Sequence, residues 1–209
     1  MATIELLRKT IFFKETLMEN KFVNYFCKIT PLSEDERNVI AESMVVKTYK
    51  KDDVLLKEGQ ISVDTYFVLD GCVREYVLAD GEEKTTNFFT EEQWVISLNN
   101  FTPRAPAEHN LICIEDTTLV VSNEAEAQEM FKEFPRFEQI SRIIMEAYFS
   151  EQKKIMTSFL TDSPEQRYLN LLNRRPDIFQ RVPQYQIASY IGVKPESLSR
   201  IRKRMAKSQ

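Results

Sequence analysis

Val182 to Met205 reads VPQYQIASYIGVKPESLSRIRKRM, and the fold of this stretch sets what the rest of the chain must supply. Pro183 and Gln184 open a segment in which Ile187, Ala188 and Ile191 recur at helical spacing. Gly192 stops it where a C-terminal cap in a left-handed conformation belongs. Pro195 then stands where the first turn of a second helix tolerates proline, with Glu196 complementing the positive end of that helix. A short turn containing glycine between two short helices is a helix-turn-helix, and the small Ala188 lets the two helices approach. On the second helix Leu198, Ile201 and Met205 share one face, while Glu196, Ser199, Arg200 and Lys203 cluster on the opposite one. That outer face suits a DNA major groove. Arg200 can pair with guanine in a bidentate way and Glu196 can accept from a cytosine amino group, while Lys194, Ser197, Arg202 and Arg204 are placed for phosphates. A plain helical hairpin with a solvated charged face is the simpler alternative, but it leaves the agreement of glycine turn, apolar stripe and basic face unexplained.

These residues resemble the DNA-reading helix-turn-helix of the Crp/Fnr family of bacterial transcription regulators, in which a Glu and an Arg four apart on the second helix read bases. Glu196 and Arg200 match that pair; Pro195 replaces a further arginine often found there, which shifts the expected DNA sequence preference. The resemblance implies a homodimer that binds double-stranded DNA, with RNA polymerase as a further partner and a small-molecule effector of unknown identity.

The charge distribution agrees. The net charge is −4, yet from Glu151 onward twelve Lys or Arg face five Asp or Glu, a net of +7 that leaves −11 for the first 150 residues. An acidic body joined to a basic, phosphate-facing module is expected. Hydrophobic residues make up 43% of the 209, enough for a packed core. The N-terminal stretch MATIELLRKTIFFKETL has Ile4, Leu7 and Ile11 in helical register, but Arg8, Lys9 and Lys14 interrupt it, so no signal peptide is expected. No apolar run approaches membrane-spanning length, and the expected location is the cytoplasm with no membrane partner. Cys27, Cys72 and Cys113 are odd in number and widely spaced, consistent with buried thiols. Three cysteines cannot supply the four ligands of an iron-sulfur cluster, and one histidine, His109, does not make a metal site, so no cofactor and no metal are expected.

Upstream, Phe22, Val23 and Phe26, with Leu17, mark a helix ending at Thr30-Pro31, and Ser33 with Glu36 forms a capping box for a second. From Val45 to Val121 short β-rich runs alternate with turn signals such as Asp80-Gly81. This pattern predicts an antiparallel jelly roll. The run KEGQISVDTYFVLDGCVREYVLADGEEKTTNFF resembles the first half of a cyclic-nucleotide-binding β-roll, with Gly59, Gly71 and Gly81 at its turns. Family members that bind cyclic nucleotides carry Gly-Glu-Leu and then an arginine for the phosphate. Here the corresponding positions are Ile96-Ser97-Leu98 and Glu108-His109. A carboxylate at 108 would repel a phosphodiester, so cyclic AMP is not expected to bind, although Arg104 lies near enough to substitute. The expected ligand pocket is therefore Trp94, Ser97, Leu98, Arg104, Glu108 and His109, with core packing as the plainer role for Trp94.

A short acidic helix after Ser122 precedes Pro135 and a long helix to about Phe159. Along it Phe137, Ile140, Ile144, Ala147, Glu151 and Ile155 recur at three- and four-residue steps, a dimerisation seam in the family and a stripe packed on the chain's own β-roll in the plainer reading. Ser163-Pro164 starts the next helix. The expected architecture is α+β: an antiparallel β-roll (jelly roll) with flanking helices over 1–134, a dimerisation helix over 135–160 and a helix-turn-helix domain over 161–209. The expected function is sequence-specific transcription regulation. A ligand-gated protein whose helix-turn-helix contacts protein is the alternative, and the scarcity of catalytic side-chain groupings argues against an enzyme.

Overall fold

A computed structural model describes residues 21–96 and 105–207. Eight strands form the N-terminal half: β1 (Val45–Tyr49), β2 (Val54–Leu56), β3 (Asp64–Asp70), β4 (Val73–Ala79), β5 (Glu82–Phe89), β6 (Trp94–Val95), β7 (Asn110–Cys113) and β8 (Thr117–Asn123). They pair antiparallel in two four-stranded sheets, ordered β1-β8-β3-β6 and β2-β7-β4-β5.

The period-2 alternation of the strands explains three layers. One set of side chains, including Tyr66, Val68, Val73, Phe89, Leu111 and Leu119, fills the space between the sheets. Phe67, Leu69 and Val120 point outward from the first sheet, and Cys72, Phe88 and Ile114 outward from the second. Both outer faces are therefore apolar and need cover. The predicted Asp80-Gly81 hairpin forms, with φ of +54° and +76° and Ala79 paired with Glu82. Gly71 is required for a separate reason: its φ is +103°, and a Cβ would lie 2.6 Å from the Cα of Thr117.

Helices cover the first sheet. α1 (21–29), α2 (Glu34–Glu42), α3 (Glu124–Glu133) and the start of α4 (Arg136–Thr161) enclose Phe67 and Leu69. Ring centroids of Phe22 and Trp94 lie 4.9 and 5.2 Å from that of Phe67, in edge-on arrangements. The capping box is present: Glu36 N–H donates to Ser33 Oγ at 3.2 Å, and Ser33 N–H donates to the Glu36 carboxylate at 2.8 Å. Arg136 then donates to the same carboxylate at 2.9 Å and to the Pro31 carbonyl at 2.6 Å, tying α4 to the α1–α2 link.

The C-terminal helices are α5 (Pro164–Arg174), α6 (Ile178–Arg181), α7 (Gln184–Tyr190) and α8 (Pro195–Lys207). Ser163 caps α5 with Pro164 in the first turn, as expected. Ile178, Ile187, Ala188, Ile191, Leu198 and Ile201 form their core, and this core continues into Cys72, Phe88 and Ile114 on the second sheet. Two elements, β6 and α6, were too short for sequence periodicity to reveal. Two seam positions also take a different place from the dimer expectation: Phe137 and Ile140 are 3% and 2% exposed and belong to the protomer's own aromatic layer.

Candidate nucleic-acid interface

The elbow between α7 and α8 is built as the sequence requires. Gly192 has φ +74°; its N–H donates to the Ser189 carbonyl at 3.0 Å, and Val193 N–H donates to the Ala188 carbonyl at 2.9 Å. These two bonds close α7 with a Schellman motif, which needs the left-handed glycine. Ser197 and Leu198 N–H groups then donate to the Lys194 carbonyl at 2.9 and 3.1 Å, starting α8 with Pro195 at its first helical position.

With Leu198 and Ile201 buried below, Glu196, Ser199, Arg200 and Lys203 stand exposed above. Arg200 leans back along its helix, Nε 3.4 Å from the Glu196 carbonyl and Nη2 3.5 Å from Ser197 Oγ. Lys194 is also exposed and Ser197 half-buried. Two of the expected phosphate contacts are engaged inside the module: Arg202 donates to Gln184 Oε1 at 2.6 Å, and Arg204 pairs with Glu165 of α5.

A second group of polar residues, not anticipated from the sequence, fixes this module to the β-roll. β5 is an edge strand, and its free edge is occupied by side chains from the helices. Thr85 N–H donates to Ser189 Oγ at 2.9 Å, and Ser189 Oγ donates to the Glu83 carbonyl at 3.1 Å. Further along, Arg175 donates to the Phe88 carbonyl and to Thr90 Oγ1, both at 2.7 Å. Arg181 donates to both oxygens of Glu91 at 2.8 and 2.9 Å and to Glu115 at 2.9 Å. Burial pushes the Glu91 carboxyl up, but hydrogen bonds from Arg181 and from backbone N–H groups outweigh it and hold it below the usual glutamate range. Beneath these contacts, burial pushes the Cys72 thiol up to about 12, so it stays protonated at neutral pH.

Residues 46–134 match the family model described as the cyclic nucleotide-binding domain. No curated protein sequence matches the chain. Solved structures do. A putative transcriptional regulator of the Crp/Fnr family from Eubacterium rectale superposes with a TM-score of 0.65 at 16% identity, covering 88% of each chain. FixK2 from Bradyrhizobium japonicum gives 0.64 at 16% identity over 79% of this chain and 85% of its own. CLP from Xanthomonas campestris gives 0.63 at 16% over 80% and 88%. The chain has the Crp/Fnr fold.

In this Crp/Fnr fold the described members of the expected pocket, Trp94, Glu108 and His109, are not brought together. Ser97, Leu98 and Arg104 lie outside the described residues. Trp94 belongs to the aromatic layer on the outer face of the first sheet, the plainer packing role, and not to a pocket with His109. Glu108 is exposed and lies before β7. Beside it His109 comes within 3.9 Å of Glu75, and Leu111 and Cys113 of β7 face the core between the sheets. What does face the roll interior is a set the sequence reading missed. Glu75 sits 3.9 Å from His109 Nε2 and accepts from Thr86 Oγ1 at 2.6 Å. Tyr148 of α4 enters the same core and its hydroxyl donates to the Ile96 carbonyl at 3.3 Å; burial, then the charge of Glu75, pushes that hydroxyl up. The signal was available: Val73, Glu75 and Val77 alternate, placing a carboxylate on the inward face. Among the described residues no group of three or more His, Cys, Asp or Glu is arranged to hold a metal, and no helix is long and apolar enough to cross a membrane.

Along α4, Ile144, Glu151 and Ile155 are half-buried and Ala147 is exposed. Glu151 accepts from Arg174 at 2.9 Å. The large apolar side chains left exposed are Ile143, Phe149, Met156, Phe159 and Leu160, and the Phe159 ring carries the Arg167 guanidinium 5.0 Å from its centroid.

Proposed function

We propose that the chain is a homodimeric, sequence-specific DNA-binding transcription regulator that does not respond to cyclic AMP. The observation that supports this best is the outward pair Glu196 and Arg200 on α8, set over a buried Leu198 and Ile201 by the Gly192 elbow. Two copies would pack α4 on α4 through Phe149 and Met156, one heptad apart, and Leu160 beyond them. Each copy then offers one α8 to a half-site, the two half-sites lying about one helical turn apart.

The cyclic AMP part rests on the roll interior. Glu75 places a carboxylate where a phosphodiester would have to be desolvated, and like charges oppose each other strongly there. A different effector chemistry is compatible with the fold, since CLP is a c-di-GMP-responsive regulator.

Selection from random duplexes at about 150 mM salt tests the reading, with a recovered imperfect palindrome as the expected result. On the selected site Arg200→Ala should cost about 1–3 kcal/mol and relax preference at one base pair, whereas Lys203→Ala should weaken all sequences alike. Equal, sequence-independent losses for both would remove the base-reading role. Calorimetry with cyclic AMP should give no heat of binding.

A further inference from the structure

Resting on the DNA-binding reading, we propose that the tip of the β4–β5 hairpin, docked on α7 through Ser189, is an acidic fence for the reading module: the carboxylates of Asp80 and Glu82 suppress the sequence-independent attraction of Lys194 and its neighbours for DNA. The second strand of the hairpin is fastened to α7, the helix before α8, by the two Ser189 hydrogen bonds to Thr85 and Glu83. Glu82 is the residue before this attachment, and Lys194, five residues after Ser189, opens α8. The two charges are close enough to interact: the Glu82 carboxyl is held below its usual range mainly by the hydrogen bond and charge of Lys84, with Lys194 adding to it.

The tip is exposed from Asp80 to Lys84. Glu83 is compensated by Arg74 and Glu82 is paired with Lys84, which leaves Asp80 in excess. Neutralising Asp80 and Glu82 together turns the local balance from about −1 to about +1. Lys194 feels the Glu82 carboxylate, so DNA phosphates drawn to Lys194 enter the field of the tip, which salt screens over a Debye length of about 10 Å at 0.1 M. The resulting repulsion opposes the sequence-independent term of DNA affinity and leaves base contacts untouched. The fence sits on the β-roll while the helix it guards belongs to the other module, so any shift of the joint between them would change DNA affinity through charge alone.

The test compares the full chain with Asp80→Asn/Glu82→Gln, using fluorescence anisotropy of a labelled random-sequence 30-bp duplex at about 50, 150 and 300 mM NaCl. Asparagine accepts the left-handed backbone at position 80, so folding is preserved. The control Glu42→Gln/Glu58→Gln makes the same change in net charge on α2 and beside β2, away from α8. The expected result is a Kd about 3- to 10-fold lower for the hairpin variant at the lowest salt, less than 2-fold lower at the highest, and little change for the control. An unchanged Kd at low salt, or equal tightening by the control, overturns the fence. If wild-type protein and variant both fail to bind any duplex, the DNA-binding reading itself falls, and the fence with it.

Discussion

The two outer faces of the β-roll are covered by opposite means. The first sheet meets an aromatic layer in which Phe67, Trp94, Phe22 and Tyr25 interlock, with Arg136 and Glu36 paired beside it. The second sheet meets the helix-turn-helix through an apolar patch ringed by Ser189, Arg175 and Arg181, which are bonded to β5 and to the loops beside it. Apolar contact is non-directional and tolerates small shifts, whereas these hydrogen bonds fix one orientation. The contrast teaches that one cover completes the core and the other aims a module.

Breaking the aromatic cover should have the largest effect. Phe67 is 1% exposed, and Phe67→Ala should lower stability by about 3–5 kcal/mol in urea unfolding, with all probes following one transition. Gly71→Ala comes next, at about 2–3 kcal/mol, because the new Cβ must displace the Thr117 backbone from a left-handed position. Gly71 also links the two covers, since its N–H donates to Glu91 at 2.8 Å, the carboxylate that holds Arg181.

Arg181→Ala sharpens the comparison. It should cost about 1–2 kcal/mol, and hydrogen exchange should show the loss in α6 to α8 while β3 keeps its protection. The pH dependence follows from Glu91. Its carboxyl is lowered in the folded state, so its contribution is full above the ordinary glutamate value of about 4.3 and is lost as pH falls through the lower folded value. Wild-type docking of the helices should therefore weaken below about pH 4, and Arg181→Ala should flatten that acid dependence.

The capping box, the hairpin turn and the helix-turn-helix were legible in the sequence because each is written in local spacing. Ser33 with Glu36, Asp80-Gly81, Ser163-Pro164 and the Ala188–Gly192 elbow are patterns of two to five residues, and each forms as read. The joint was not legible. Arg181 and Glu91 stand 90 residues apart, and Ser189 and Thr85 more than 100, so no window of sequence contains both partners. The seam on α4 shows a second limit. Its periodicity is sound, but a helix with apolar residues on two faces does not say which face is covered; tertiary packing took Phe137 and Ile140 inward and left Phe149 and Met156 outside.

Ser189→Ala gives the smallest effect and tests the joint most finely. Removing Oγ leaves the Thr85 N–H and the Glu83 carbonyl without this partner, at an edge where water can partly replace it, so the cost should be about 0.5–1.5 kcal/mol. Global unfolding will barely register it, because the apolar patch under α7 is intact. Exchange at the Thr85 amide reports it directly: protection should fall there by about tenfold, with amides of β3 unchanged. If Thr85 stays protected, β5 holds its own edge, and the orientation of α7 comes from the apolar patch and the arginines alone. In that case the polar ring would steady the helix-turn-helix without aiming it, and the distinction between the two covers would rest on Arg175 and Arg181.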